Sequence, residues 1–330
     1  MTLNEILTIQ TVSGKEWRMF AFIVRQLKKQ GVPFSVDASG NIYAQKGEGD
    51  TFPCVVAHMD TVHPIVEDLS IIAVGDKLTG FNRVNMKQTG IGGDDKVGVY
   101  IALKCLQKYD CMKVAFFVDE ERGCIGSYAS DVSFFADCRF ILQADRRGST
   151  DFINNAGGVT LCSKKFKKAV GKLLPMYGYK FTTGLMTDVM ALKKSGVNVS
   201  MANVSCGYHR PHSDDEWVSV SQVEKCLDLF CCIIENLTGN YPHTYVPAPV
   251  VVRTSPYYGH GYGSREYVDF WGKYDSLSKW NMDKQVQKTP TQPKLDLDIT
   301  ECDGCLNVAA VSYSSYFNCF LCAHCRKEWQ

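Results

Sequence analysis

Over the first 245 or so residues, short runs of apolar side chains alternate with stretches in which apolar residues recur every three to four positions. Three of the runs, Phe52 to Ala57, Lys113 to Val118 and Arg139 to Ala144, have the length and composition of buried strands. A fourth strand is predicted over Val197 to Val204. The helical period covers Ser13 to Gln30, Lys96 to Lys108, Asp188 to Ser195 and Ser221 to Leu237. This alternation predicts an α/β domain, a doubly wound and mostly parallel sheet flanked by helices.

From about Val246 the pattern dissolves. Pro247, Pro249 and Pro256 are followed by Tyr-Tyr-Gly-His-Gly-Tyr-Gly at 257 to 263 and by Thr289-Pro290-Thr291-Gln292-Pro293. Residues 246–300 therefore read as a linker or loosely ordered wrap, with one short helix near Tyr267 to Lys279. Residues 301–330 are expected to form a mini-domain of their own.

The predicted strands end on chemistry. His58-Met59-Asp60, Asp119-Glu120-Glu121 and Asp145 each sit at the end of one of the three runs, and Gly93-Asp94-Asp95-Lys96 opens the helix at 96. A fifth cluster, His212-Ser213-Asp214-Asp215-Glu216, lies downstream. Each has an ordinary explanation when taken singly: a capping feature, an N-cap with first-turn acids, a solvated acidic turn. Five such coincidences in one chain, three of them at strand ends, are improbable together. In an open α/β sheet, ligands gather outside the carboxyl ends of the strands, so these clusters would converge there.

A two-zinc hydrolytic site needs a bridging carboxylate, two terminal ligands on each ion and a base that ligates neither. His58 and Asp145 would complete one ion, Glu121 and His212 the other, with Asp94 between them. Glu120 is the candidate general base, and Asp60 would sit behind His58 and fix its ring. Cobalt or manganese would suit the same donors. Arg146, Arg147, Asn155, His209 and Arg210 lie near ligands in sequence and are candidates for holding a peptide end or the oxyanion.

Composition narrows the partners. Lys plus Arg is 36 and Asp plus Glu is 35, a net charge of +1, so nothing in the balance calls for nucleic acid or an anionic membrane as main partner. No long apolar stretch or leader is evident, and a soluble cytoplasmic protein is expected. Fifteen cysteines are present. Ten are scattered through the first 232 residues and read as reduced and buried, like Cys105 and Cys231. The other five crowd the tail, where Cys302-x-x-Cys305 and Cys322-x-x-Cys325 are sixteen residues apart. That spacing suits a zinc ribbon with one structural zinc, which would supply most of the folding energy of so short a segment. A ribbon of this kind could dock a protein partner, bind nucleic acid or brace the enzyme.

At Ala57-His58-Met59-Asp60-Thr61-Val62, Gly93-Asp94-Asp95-Lys96-Val97-Gly98, Asp119-Glu120-Glu121-Arg122-Gly123 and His212-Ser213-Asp214-Asp215-Glu216 the chain resembles the co-catalytic zinc exopeptidases, with the tripeptidase-like peptidase T branch and carboxypeptidase G nearest by motif. Val12-Ser13-Gly14 and Gly40-Asn41-Ile42 are also typical of the group. The resemblance covers roughly residues 1 to 240. It implies a metal-dependent exopeptidase, an aminopeptidase or a di- or tripeptidase, and a cis peptide at Asp94-Asp95. One departure is clear. That branch inserts a lid domain between the last carboxylate ligand and the final histidine, whereas Asp145 and His212 are only 67 positions apart. The spacing is similar to that of the single-domain aminopeptidases, which share the Glu-Glu-x-Gly-x-x-Gly-Ser pattern of Glu120 to Ser127. The alternatives are an amidohydrolase of N-acyl amino acids using the same chemistry and a non-catalytic scaffold that binds through the ribbon.

Overall fold

The computed structural model describes residues 1–247 and the backbone of three short strands farther on. Helices α1 (Leu3–Leu7) and α2 (Trp17–Lys29) lead into strands β1 (Phe34–Val36), β2 (Ile42–Lys46) and β3 (Phe52–His58). Strands β4 (Leu69–Val74), β5 (Lys77–Asn82) and β6 (Lys87–Thr89) follow, then helix α3 (Gly93–Lys108), β7 (Met112–Phe117), α4 (Ile125–Tyr128) and β8 (Cys138–Arg146). The chain continues through β9 (Asp151–Ala156), β10 (Val159–Thr160), α5 (Lys164–Val170), β11 (Lys180–Gly184), α6 (Asp188–Lys194) and β12 (Met201–Ser205). It closes with β13 (Tyr208–His209), β14 (Trp217–Ser219) and α7 (Val220–Asn236).

The main sheet has nine strands in the order β1-β2-β7-β3-β8-β12-β9-β10, with β11 alongside β9. Its centre, β7-β3-β8-β12, is parallel, as expected. Its margins are mostly antiparallel. Strand β1 pairs antiparallel with β2, β2 with β7, β12 with β9 and β9 with β10, while β11 runs parallel to β9, so the sheet is mixed rather than mostly parallel. Strands β1 and β2 are joined by five residues, too few for the crossover a parallel pair requires.

Alternate residues of the central strands feed two apolar cores, one on each face. Val55 and Ala57 of β3, Val114 and Phe116 of β7, and Leu142 and Ala144 of β8 point into the larger core with α1, α2, α3 and α7. Cys54, Val56, Ala115, Phe117 and Ile141 point the other way, against Val189 and Leu192 of α6. Burial on both faces is what makes these strands read as unbroken apolar runs.

The chain between Asp145 and His212 builds β9 to β13, and β9 to β12 all belong to the main sheet, so among the described residues no separate domain is inserted there. A second sheet, β13-β14-β5-β4 with β6 beside β5, carries the final loop.

Two expected boundaries shift. The first long helix begins at Trp17, not Ser13, because Gly14 has φ +79° and the Ser13 hydroxyl bonds to Asp60. The strand expected from Val197 begins at Met201, since Val197 and Val199 give their carbonyls to the buried Lys193 ammonium.

In the tail, β15 (Ile299–Glu301), β16 (Val308–Ser314) and β17 (Cys319–Cys322) form an antiparallel sheet. Glu301 pairs with Val308 and Cys322 with Val311. Cys302, Cys305 and Cys325, the side chain of Cys322, residues 248–298 and the helix expected near 267–279 lie outside the described residues. Among those described, no helix is long and apolar enough to cross a membrane.

Candidate metal centre

Strand register brings the first ligands together. Val56 pairs with Gln143 and His58 with Phe117, so His58, Asp145 and the turn after β7 leave the sheet side by side at its carboxyl end. Asp94 arrives from the start of α3, where the Asp94-Asp95 peptide is cis. His212 arrives from the loop between β13 and β14, at φ +61°.

Asp94 stands between the two histidines. Its Oδ1 is 3.3 Å from His58 Nε2, and its Oδ2 is 3.5 Å from His212 Nε2. On the first side, Asp145 Oδ1 lies 3.8 Å from His58 Nε2; on the second, Glu121 Oε1 lies 3.0 Å from His212 Nε2. Two triads result, His58–Asp94–Asp145 and Asp94–Glu121–His212, each with its donor atoms within 4.8 Å of one another. The five residues expected as ligands are therefore adjacent, grouped around Asp94.

The donors fit divalent cations. His58 is buried, and its Nε2 makes no hydrogen bond although three carboxylates face it, an arrangement costly for a neutral imidazole and natural for a ligand. The group shifts express the same crowding. Burial, reinforced by the charge of Asp94, pushes Asp145 up to about 8 and Glu121 up to about 7. Burial also drives Glu120 well above the carboxylate range. The hydrogen bond to Asp94 pushes His212 up to about 9. Two imidazoles and three carboxylates are donors suited to zinc, cobalt or manganese.

Behind these five residues lies a dense hydrogen-bonded layer. Asp60, fully buried, faces His58 Nδ1 through Oδ1 at 3.3 Å and accepts the Glu120 amide at 3.0 Å, the Glu121 amide at 3.2 Å and the Ser13 hydroxyl at 2.7 Å. The Asp60 backbone carbonyl, 3.0 Å from His58 Nδ1, holds the ring, and its carboxylate holds the backbone of both glutamates. Asn41 holds the same turn from the other side, accepting the Val118 amide and donating to the Gly126 carbonyl. Gly126 is required there, because a Cβ would stand 2.4 Å from the Val118 oxygen. These contacts give Ser13 and Asn41, noted above only as typical residues, a physical role.

Several positioning residues were not anticipated. Asp145 is held by Asn203, Gln143 and the Tyr208 hydroxyl. Gln143 and Asn203 are polar residues inside otherwise apolar buried strands, and that interruption was the available signal. Glu216, with no exposure, accepts from the Gly92 and Asp94 amides at 2.7 and 3.2 Å and pairs with His63 at 2.7 Å. It ties the loop of His212 to the loop of Asp94.

The candidate substrate contacts are spread more widely. Tyr208 turns inward to Asp145, so its neighbour His209 faces outward, stacked on Trp217 at 4.0 Å and bonded to Gln222. Arg210 pairs with Asp215 at the surface, and both line an open cavity of about 450 Å³ with Lys77 and Trp217. Arg146 lies 3.5 Å from Asp151; Arg147 is exposed, and Asn155 pairs across the sheet with Thr160 and Thr183. None of these five belongs to the metal-binding clusters.

No family model matches the chain, and no curated protein matches it. Solved structures do. Aminopeptidase PepT from Bacillus cereus superposes with a TM-score of 0.56 at 13% identity, over 71% of this chain and 96% of its own. An aminopeptidase from the archaeon Desulfurococcus kamchatkensis gives 0.56 at 14%, over 71% and 93%. A tripeptidase from Staphylococcus aureus gives 0.57 at 12%, over 71% and 96%. At such identities the similarity is one of fold. This chain has a peptidase-like α/β fold, with two candidate metal-binding clusters sharing Asp94 at the carboxyl ends of its central strands.

Proposed function

We propose that this protein is a metal-dependent hydrolase, specifically a di-zinc exopeptidase of the aminopeptidase or di-/tripeptidase kind. The observation that carries the reading is Asp94, whose two oxygens face two different histidine-carboxylate pairs. His58 and Asp145 would hold one ion, Glu121 and His212 the other, and Asp94 both. Ions held there would polarise a scissile carbonyl and acidify a bound water.

The chain's own residues do the rest. Glu120 Oε2 lies 3.9 Å from His58 Nε2, beside both triads without belonging to either. From there it is placed to accept a proton from the attacking water and return it to the departing amine. Asp60 sets the distance between base and ligands through its bonds to the Glu120 and Glu121 amides. His212 is half exposed, whereas the side chains of the other four are at most 12% exposed, so substrate approaches from the His212 side.

A panel of dipeptides, tripeptides, amino-blocked peptides and N-acyl amino acids tests this reading. Cleavage of free di- and tripeptides with little on N-acyl amino acids is expected. The reverse preference would favour the amidohydrolase alternative, and no hydrolysis by metal-loaded protein would favour the scaffold.

For the tail we propose one structural zinc held by Cys302, Cys305, Cys322 and Cys325. The pairing of Glu301 with Val308 and of Cys322 with Val311 supports it, since the residues flanking 302–307 and the end of β17 lie toward one end of the sheet. Serine at Cys302 and Cys305 together is expected to release about one zinc per chain with peptide hydrolysis retained. Unchanged zinc content would remove the ribbon.

A further inference from the structure

Glu120 has two oxygens with different neighbours. Oε2 faces His58, whereas Oε1 is 3.3 Å from the thiol of Cys124. The sulfur is held there by a tight turn in which the Cys124 amide donates to the Glu120 carbonyl at 2.7 Å, with Cys124 itself at φ +57°. The third member is Asp188, the first residue of α6 and fully buried. Its Oδ2 accepts the Gln143 side-chain amide at 2.9 Å, while Oδ1 is buried and accepts no hydrogen bond of ordinary geometry. One donor atom from each of Glu120, Cys124 and Asp188 lies within 4.8 Å of the others, all three residues being buried. The five ligands proposed above include none of them.

We propose that Glu120, Cys124 and Asp188 form a third cation site, selective for thiophilic divalent ions such as zinc in excess or cadmium, whose occupancy switches hydrolysis off. The 3.3 Å between sulfur and oxygen is close to the roughly 3.5 Å that separates these donors around a tetrahedral zinc. Asp188 Oδ1 is buried and makes no hydrogen bond of ordinary geometry, although the Ser127 hydroxyl lies near enough to favour the ionised carboxylate, so a cation there would complete its partners. The thiol selects soft ions over magnesium or calcium. Three protein donors leave a fourth position open, the pattern of an exchangeable rather than a structural ion. Inhibition follows because Glu120 is shared: an ion on its carboxylate removes the base from proton transfer.

The inhibitory half rests on the hydrolase reading, and the binding half does not. Full-length protein carrying its active-site metals is titrated with zinc, and with cadmium in parallel, for wild type, Cys124→Ser and Asp188→Asn. Each rate is referred to that protein's own uninhibited rate. Wild type is expected to lose activity in excess zinc, and both variants to need more than about tenfold higher zinc for the same loss, given that even an outer-shell partner is worth that much to a metal site. Cadmium reports binding without activity: the ultraviolet thiolate–cadmium absorption of wild type should exceed that of Cys124→Ser by one thiolate. Equal zinc inhibition in all three proteins would overturn the inhibitory role. Equal cadmium absorption in wild type and Cys124→Ser would overturn the site itself, whether or not peptides are cleaved.

Discussion

Glu120→Gln is expected to lower turnover of a tripeptide by about two to four orders of magnitude, the usual contribution of a positioned proton-transfer group. Metal content should stay at the wild-type level. The substitution keeps the shape of the side chain and its place beside Cys124, but an amide takes no proton from water. Kinetics and elemental analysis on one preparation decide it. Unchanged turnover would remove Glu120 as the base; lost metal would make it a ligand, a role open to it because His58, Glu120 and Glu121 also cluster within reach of one another.

Asp94→Asn carries the second large effect. Asp94 alone belongs to both the His58–Asp145 and the Glu121–His212 pairs, so a neutral amide there weakens both ion sites at once. Metal content is expected to fall by about two per chain, with hydrolysis lost, because binding energy at such a site depends on deprotonated ligands. Substitution of His212 should by contrast empty one site preferentially. A fall of one metal in Asp94→Asn, with the other still tightly held, would show that the carboxylate does not bridge.

The parallel centre of the sheet and three of the five candidate ligands, His58, Glu121 and Asp145, were legible in the sequence for the same reason, whereas Asp94 at the start of α3 and His212 in a loop were legible only as acidic and histidine clusters. Strands β3, β7 and β8 are buried on both faces and so are uniformly apolar, which makes an acid or histidine at their ends conspicuous. The margins were less legible. Strands β4, β5 and β6 are mostly exposed or half-buried, with Leu78, Gly80 and Thr89 alone buried, and Lys87–Thr89 carries no strand pattern at all; pairing with β5 alone makes it one. The supporting layer was hardest to read, because its members are linked only in space. Nothing in sequence joins Ser13 to Asp60 or Asn41 to Gly126, and Glu216 reads as one more acid in an acidic loop until its bonds to Gly92 and Asp94 are seen. His209 shows the converse. It neighbours a candidate ligand in sequence, yet strand alternation turns it to the opposite face from Tyr208.

The absence of an inserted domain between Asp145 and His212 has a functional consequence. With β9 to β12 built into the main sheet, that segment itself supplies no lid over the candidate metal clusters, and His212 remains half exposed.

The central claim is tested most directly by stripping the full-length protein of metal with a chelator and following tripeptide hydrolysis as zinc is titrated back. Activity should vanish on chelation and return to a plateau at about two active-site ions per chain, counted after subtracting any zinc bound to the tail. Hydrolysis that survives complete removal of metal, or a plateau at a single ion, would contradict a shared two-ion centre on Asp94.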